Sequence, residues 1–528
     1  MHRRHFIAGA TATAASLSMP RLGHAQANRA RTLRFAPHAD LSFVDPVWTL
    51  AYIARNHGFM VFDTLYGLDS GFEPQPQMVA GHVIEDDGRL WRLTLRDGLL
   101  FHDGTPVRAQ DCVASIRRWA SADAFGQKLM AATDELSAAS DREIRFRLKH
   151  PFPLLPAALG KASPYMCAIM PERLALTPQT TQIAEAIGSG PFRFLASERV
   201  PGASAAYAKF DRYVPAPGAP SFVSGAKVAH FDRVEWTTIP DAGTAAAALQ
   251  SGEIDWWEAP PPDLVPLLKG NRKVVVETLD PAGSVGVFRF NHLHPPFNNP
   301  AIRRAVLGAV DQAPFMQAVA GDDPAMWNDR VGYFTPGTPM ASDAGMAGLF
   351  GPRDIAKAKR DLAAAGYRGE RVVLLAASNI DAINALAQVA QDLLTRIGMN
   401  VDYVSTDWGT VMQRRTSQQP VEGGGWSAFV GTWSGNDLVN PAVSISLRGD
   451  GKAAGGWLTS PEIERLRDAW FEAPDLAERK KICRAIQEQA WQDVPFIPLG
   501  QWKTQSAWRT SITGLPQGIP LFWSARPS

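Results

Sequence analysis

The side chains in this sequence best suited to holding a small molecule are aromatic. Of its 16 tryptophans, Trp408, Trp426 and Trp433 stand beside glycine or serine and out of helical register. A large flat ring on a loop suits stacking against a ligand's backbone or ring, whereas most of the other tryptophans read as core filler. Groupings for catalysis are sparse. His102-Asp103 invites an acid–base reading, but adjacent residues in a Gly-rich turn more often serve the turn itself. His292-Leu293-His294 would place two rings on one side of an extended segment, a geometry that could hold a metal. No G-x-S-x-G, H-E-x-x-H, phosphate loop or dinucleotide fingerprint occurs. The carboxylates are plentiful, but sequence cannot pair them. The case for an enzyme is therefore weak, and neither a cofactor nor a metal is expected.

These residues need a scaffold, and the pattern supplies one. Ser284 to Asn291 reads as a short buried strand through Val285, Val287, Phe288 and Phe290, ended by Pro295-Pro296. Asn299 then offers a helix cap with Pro300 at the first helical position. Ile302, Ala305, Val306, Ala309 and Val310 form one apolar helix face. From there helices and strands alternate: 354–365, 372–375, 383–397, 400–404, a short helix from Trp408, and 429–433. That rhythm predicts an α/β unit with crossover helices. Upstream, Thr32 to Ala36 reads as a strand, Ile53 to Leu65 as a helix, and Leu90 to Arg96 as a half-buried strand. Downstream, 494–499 is extended and is expected to return to the first half of the chain.

At 528 residues the chain exceeds one ordinary domain, and 45% hydrophobic with 20% charged residues argues for packed cores. A formal charge of +1 gives no case for nucleic acid or an anionic membrane surface as partner. The start carries an Arg3-Arg4 pair, a short apolar run from Ile7 to Met19 and small residues before Ala27, as in a cleaved export signal over 1–27. The Arg pair with the following Phe6-Ile7 resembles a twin-arginine signal. The three cysteines form no C-x-x-C, and Cys112 and Cys483 fall on apolar helix faces, so buried thiols are expected.

Several motifs together carry a resemblance. N-x-x-x-P-P-F-x-x-x-x-x-R-x-A runs from Asn291 to Ala305, and L-R-D-G-x-x-F-H-D-G-T-P-x-x-A-x-D-x-x-x-S-I from Leu95 to Ile116. Gly188-Ser189-Gly190-Pro191-Phe192 and Leu249-x-x-Gly252-Glu253-Ile254-Asp255 follow in the same order. These resemble the extracytoplasmic solute-binding proteins of ABC transporters, in the large peptide/nickel-binding family. The resemblance implies an α/β, two-lobed periplasmic-binding-protein fold that closes over its ligand, with an extra subdomain in the first lobe. The lobes would be 28–280 and 281–493, with 494–528 returning into the first. It implies a periplasmic monomer delivering a peptide or peptide-like solute to an inner-membrane ABC permease. A secreted hydrolase or a sensory receptor on the same scaffold is the alternative.

The resemblance also implies site residues. Trp408 and Arg415 match a cleft Trp and an Arg seven residues on, and Phe43, Asp45 and Trp48 lie on a loop expected along the cleft. Trp433 matches the family's W-x-x-D loop, whose Asp pairs with a peptide's α-amine. Here Asn436 stands at that place, with Asp437 next to it, and an amide lacks the charge that makes such a pair strong. Either Asp437 substitutes or the ligand lacks that amine. Opines, sugars, nickel chelates and small organic acids stay open beside peptides.

Overall fold

The computed structural model describes residues 31–349, 353–453 and 455–528. The expected leader, with Arg3 and Arg4, lies outside them.

Two sheets organise the chain. In the first, of seven strands, Thr32–Ala36 pairs in parallel with Arg233–Thr237 and with Trp256–Trp257. Leu33 and Phe35 alternate inward, and Phe35 meets Trp256 and Phe522 at ring distances of 4.8 and 5.0 Å. The helix expected over 53–65 runs Tyr52–Val61 and stops where Asp63 bridges to Ile169. A four-stranded antiparallel sheet, Val79–Glu85, Leu90–Leu95, Glu143–Leu148 and Thr133–Ala138, is covered by the helix Ala109–Ala122. It forms a subdomain beside the first sheet.

The second sheet, of six strands, is built on Ser284–Phe290, flanked antiparallel by Ala428–Ser434 and Phe496–Trp502. Beyond Ala428–Ser434 the strands Arg371–Ala377 and Asn400–Thr406 pair in parallel. The helix Asp381–Arg396 makes their crossover and buries Leu386, Ala387, Ala390 and Leu394. Asn299 Oδ1 accepts from Ala301 N–H at 2.9 Å and caps the helix Pro300–Ala309, an arrangement of about 1 kcal/mol.

One boundary moves. The strand Phe496–Trp502 belongs to the six-stranded sheet, and the chain enters the seven-stranded sheet only at Ser506–Arg509. A run buried on both faces shows no alternation, so its residues do not say which sheet takes it.

The chain crosses between the sheets through 278–283 and through 503–505, side by side. Gly283 holds φ at +55°, and a Cβ there would lie 2.3 Å from Trp502 O, so the two backbones touch. Gln501 Nε2 donates to Ala282 O at 2.8 Å, tying the crossings together. The two halves also meet away from these crossings, where Phe471 packs against Phe125 and Phe152 and Lys128 pairs with Asp468.

Candidate ligand-binding site

A cavity of about 240 Å³ opens where the sheets face each other at the crossings, lined among others by Tyr52, Arg55, Glu258, Asp280, Ser434 and Thr504. It is smaller than the ~300–1,000 Å³ usual for drug-sized ligands and suits a small polar solute. A second cavity, of about 140 Å³, lies on the other side of Asp280, between Phe72, Phe222 and Asn436.

Tyr52 opens its helix and reaches across to the other lobe. Its hydroxyl accepts from Ser434 N–H at 2.8 Å and donates to Asp437 Oδ2 at 2.5 Å. Burial, then the neighbouring Asp437 charge, pushes the phenol well up, so the proton stays on the tyrosine. One helical turn on, the Arg55 guanidinium lies 4.8 Å from the centre of the Tyr52 ring and donates to Ser163 Oγ at 3.1 Å.

Three carboxylates surround that guanidinium. Burial raises Asp437, against the Tyr52 hydrogen bond and the Arg55 charge. Burial likewise raises Asp280, against donors from Ala282 N–H at 3.0 Å and Asn436 Nδ2 at 3.1 Å. Burial alone would raise Glu258 too. His38, whose backbone N–H and Nδ1 each lie 2.8 Å from Oε2, instead holds it below the usual carboxylate value. The balance around the cavity is acidic, a field that attracts a cationic group such as an amine.

The expected site residues divide. Asn436 and Asp437 come together with Tyr52 and Asp280, but both are buried, and the Asn436 amide is held by Asp280 and Ser434. Trp433 is half-buried one residue before Ser434. Trp408 heads the helix Trp408–Arg414, capped by Asp407, with its ring 4.0 Å from the point a Gly431 Cβ would occupy. Arg415 follows that helix and lies 5.8 Å from the Phe429 ring centre.

The loop 43–48 does not join this cavity. Asp45 is fully buried and takes both guanidinium nitrogens of Arg118 at 3.0 and 2.7 Å, besides the N–H groups of Val47 and Ile183. Its oxygens hold the fold together and have nothing left for a ligand, which corrects its assignment to the cleft. Phe43 and Trp48 pack against each other with ring centres 4.9 Å apart and planes tilted by 53°, and Trp48 Nε1 donates to Thr180 O at 3.4 Å.

The other groupings serve structure. Asp103 accepts from Thr105 within the turn, and His102 Nε2 contacts Gly190 O at 3.0 Å. His292 and His294 turn to separate carbonyls, those of Gly456 and Gln418. Cys112, Cys167 and Cys483 are buried thiols.

Sequence reasoning missed Tyr52, Arg55, Glu258 and Asp280. One local signal existed: Arg55-Asn56-His57 is a polar run inside an apolar helix, and all three side chains are buried. Buried polar groups need partners, and such a run asks where they are.

A family model described as "Bacterial extracellular solute-binding proteins, family 5 Middle" matches residues 73–455. A probable peptide ABC transporter periplasmic-binding protein of Sinorhizobium fredii is 39% identical over 99% of this chain and 98% of its own. Two solved structures share the fold. AgaA of A. tumefaciens R10, in complex with agropinic acid, gives a TM-score of 0.78 at 22% identity over 94% of this chain and 99% of its own. DppA of Helicobacter pylori, in complex with the peptide STSA, gives 0.77 at 21% over 95% and 99%. With this fold, this interlobe cavity and these relatives, the chain belongs to family 5 of the bacterial extracellular solute-binding proteins and is the solute-binding component of an ABC transporter.

Proposed function

We propose that the protein captures a small peptide-like solute carrying a free amine between its lobes in the periplasm and hands it intact to an inner-membrane permease. The observation that carries this reading is the excess of acid around the interlobe cavity: Asp280, Glu258 and Asp437 surround the single guanidinium of Arg55. The family's amine-binding Asp is absent at 436, and a carboxylate stands instead at Asp280, on the crossing itself and hydrogen-bonded to the Asn436 amide. Asp280 takes over the amine, and Asn436 orients Asp280.

The segments 278–283 and 503–505 serve as the hinge, and ligand stabilises the closed form by its differential affinity for it. Export uses the twin-arginine-like leader, and the mature protein acts as a monomer without catalysis.

The test is a thermal-shift and calorimetric screen of refolded, ligand-free protein against short peptides and their N-acetyl forms. A ligand at ~100 times its Kd adds about 2.7 kcal/mol, an easily seen shift. Free-amine peptides are expected to bind and to be recovered unchanged. Equal binding of N-acetyl peptides would remove Asp280 from its role, and turnover of the bound peptide would favour the hydrolase alternative.

A further inference from the structure

Phe72 stands at a backbone position that suits glycine. It ends the turn Ser70-Gly71-Phe72 between the strands Tyr66–Leu68 and Pro74–Pro76. Phe72 N–H donates to Asp69 O at 2.9 Å, and Asp69 N–H donates to Glu73 O at 3.0 Å. The last residue of such a hairpin turn takes the left-handed conformation, and Phe72 holds φ at +64°. Glycine adopts it freely, whereas a bulky side chain is strained there. Phe222, in the turn Ser221–Ser224, does the same with φ at +49°. The two rings meet edge to face with centres 6.1 Å apart.

The surrounding hydrogen bonds hold both turns in place. Asp69 Oδ1 accepts from the N–H groups of Gly71 and Glu73 at 2.9 and 3.0 Å, and Ser70 N–H donates to Ser221 Oγ at 3.0 Å. Val223 N–H donates to Leu68 O at 3.1 Å. Behind Phe222, a Cβ on Gly518 would lie 2.6 Å from the ring, so a residue without a side chain makes room for it. Strained residues fixed in this way cluster at ligand clamps and switches.

The Phe72 ring borders three cavities. One is the cavity of about 140 Å³ beside Asp280. Another, of about 170 Å³, lies between Phe125, Met340 and Trp470, towards the contact of Phe471 with Phe125. A small one of about 40 Å³ lies between Phe125, Lys161 and Asn436. Among the described residues Phe72 alone lines all three.

We propose that Phe72 is a specificity residue: its ring partitions the space between the two halves and limits the side chain carried at the amine-bearing end of the solute. The assignment rests on the reading above in which Asp280 takes the amine. The group next to that amine then lies in the cavity beside Asp280, whose walls Phe72, Phe222, Pro281 and Pro336 are apolar. An apolar cavity of about 150 Å³ holds one benzene, so a small apolar side chain fits and an indole does not.

Phe72→Gly removes the ring and suits the left-handed backbone, so the variant keeps its turn. Two measurements compare it with wild type in the full-length mature protein. In the first, Ala-Ala, Trp-Ala and Ala-Trp are titrated calorimetrically. Wild type should bind Trp-Ala about tenfold or more weakly than Ala-Ala, and Phe72→Gly should bind the two alike. The ratio of Ala-Trp to Ala-Ala should be the same in both proteins. A Trp-Ala penalty that is absent from wild type, or that survives in Phe72→Gly, would overturn the proposal while leaving the amine reading intact. A variant that relaxes both positions alike would overturn the assignment to the amine end. Loss of the penalty together with equal binding of N-acetyl-Ala-Ala would instead remove Asp280 and keep Phe72 as the size filter. If no dipeptide binds, the peptide reading fails, and the second measurement decides the partition. Melting temperatures are read with benzene and with n-butylbenzene at equal fractional saturation. n-Butylbenzene, too long for one cavity, should raise the melting temperature of Phe72→Gly and leave that of wild type unchanged. Stabilisation of the variant by benzene alone would mean an isolated hole, and that or any other pattern would overturn the partition.

Discussion

The phenol of Tyr52 and the carboxylate of Asp437 meet at 2.5 Å across 385 positions of sequence. One opens a helix beside the seven-stranded sheet, and the other follows a strand of the six-stranded sheet. Their bond therefore joins the two sheets' halves of the chain, and so does the Ser434 N–H that Tyr52 also accepts. Tyr52→Phe removes both. A hydrogen bond to a charged group contributes about 1.5–3 kcal/mol, so ligand should bind about tenfold or more weakly. Small-angle scattering should show a larger radius of gyration in the ligand-bound variant than in bound wild type.

Asp280→Asn keeps the shape of the crossing and removes its charge. Amine-bearing ligands should lose about 1.5–3 kcal/mol of affinity by calorimetry, with stability little changed. An unchanged affinity would move the amine site to Glu258 or Asp437.

Asp45→Asn should do the opposite. It strips the counter-charge from buried Arg118, a change of about 3–5 kcal/mol in stability. Ligand affinity of the folded fraction should stay at the wild-type value, as read by denaturant titration alongside calorimetry.

Acid should destabilise the protein through buried histidines. Burial lowers His57 and His292 to about 3 and His102 to about 4, against an ordinary 6.5. A depressed histidine binds fewer protons folded than unfolded. Its contribution is complete above about pH 6.5 and is lost as pH falls towards the folded value, by about 1.4 kcal/mol per pH unit for each ring. Raised Asp280 and Asp437 act in the other sense, since their contribution is full at low pH and is lost as pH rises through their folded values. His102→Gln should make the acid slope between about pH 6.5 and pH 4.5 shallower by about 1.4 kcal/mol per unit in denaturant titrations.

Gly283→Ala places a Cβ 2.3 Å from Trp502 O at a φ of +55°. Backbone strain and overpacking each cost about 1–3 kcal/mol, so the variant should be less stable by about 2–4 kcal/mol. Its ligand-induced change in scattering should shrink, because the two crossings no longer lie flat on each other.

Much of the fold was legible because it is local. Thr32–Ala36 alternates, Asn299-Pro300 caps, and the spacing of Ile302, Ala305 and Val306 makes one helix face, all within a few residues. The motif order from Leu95 to Ala305 made the lobes recognisable in the same way. The sites were legible only in part. Asp45 and Asp280 each sit beside a proline in a loop, and nothing nearby distinguishes them. Packing gave Asp45 the guanidinium of Arg118 and left Asp280 at a cavity beside Asn436. Phe496–Trp502 is apolar enough for either sheet, and only pairing with Ser284–Phe290 decided it. Sequence by itself determined which residues make strands, turns and caps, because those depend on side-chain shape and short-range hydrogen bonds. Tertiary structure alone decided which charges are paired and which face a ligand, because that depends on partners hundreds of residues away.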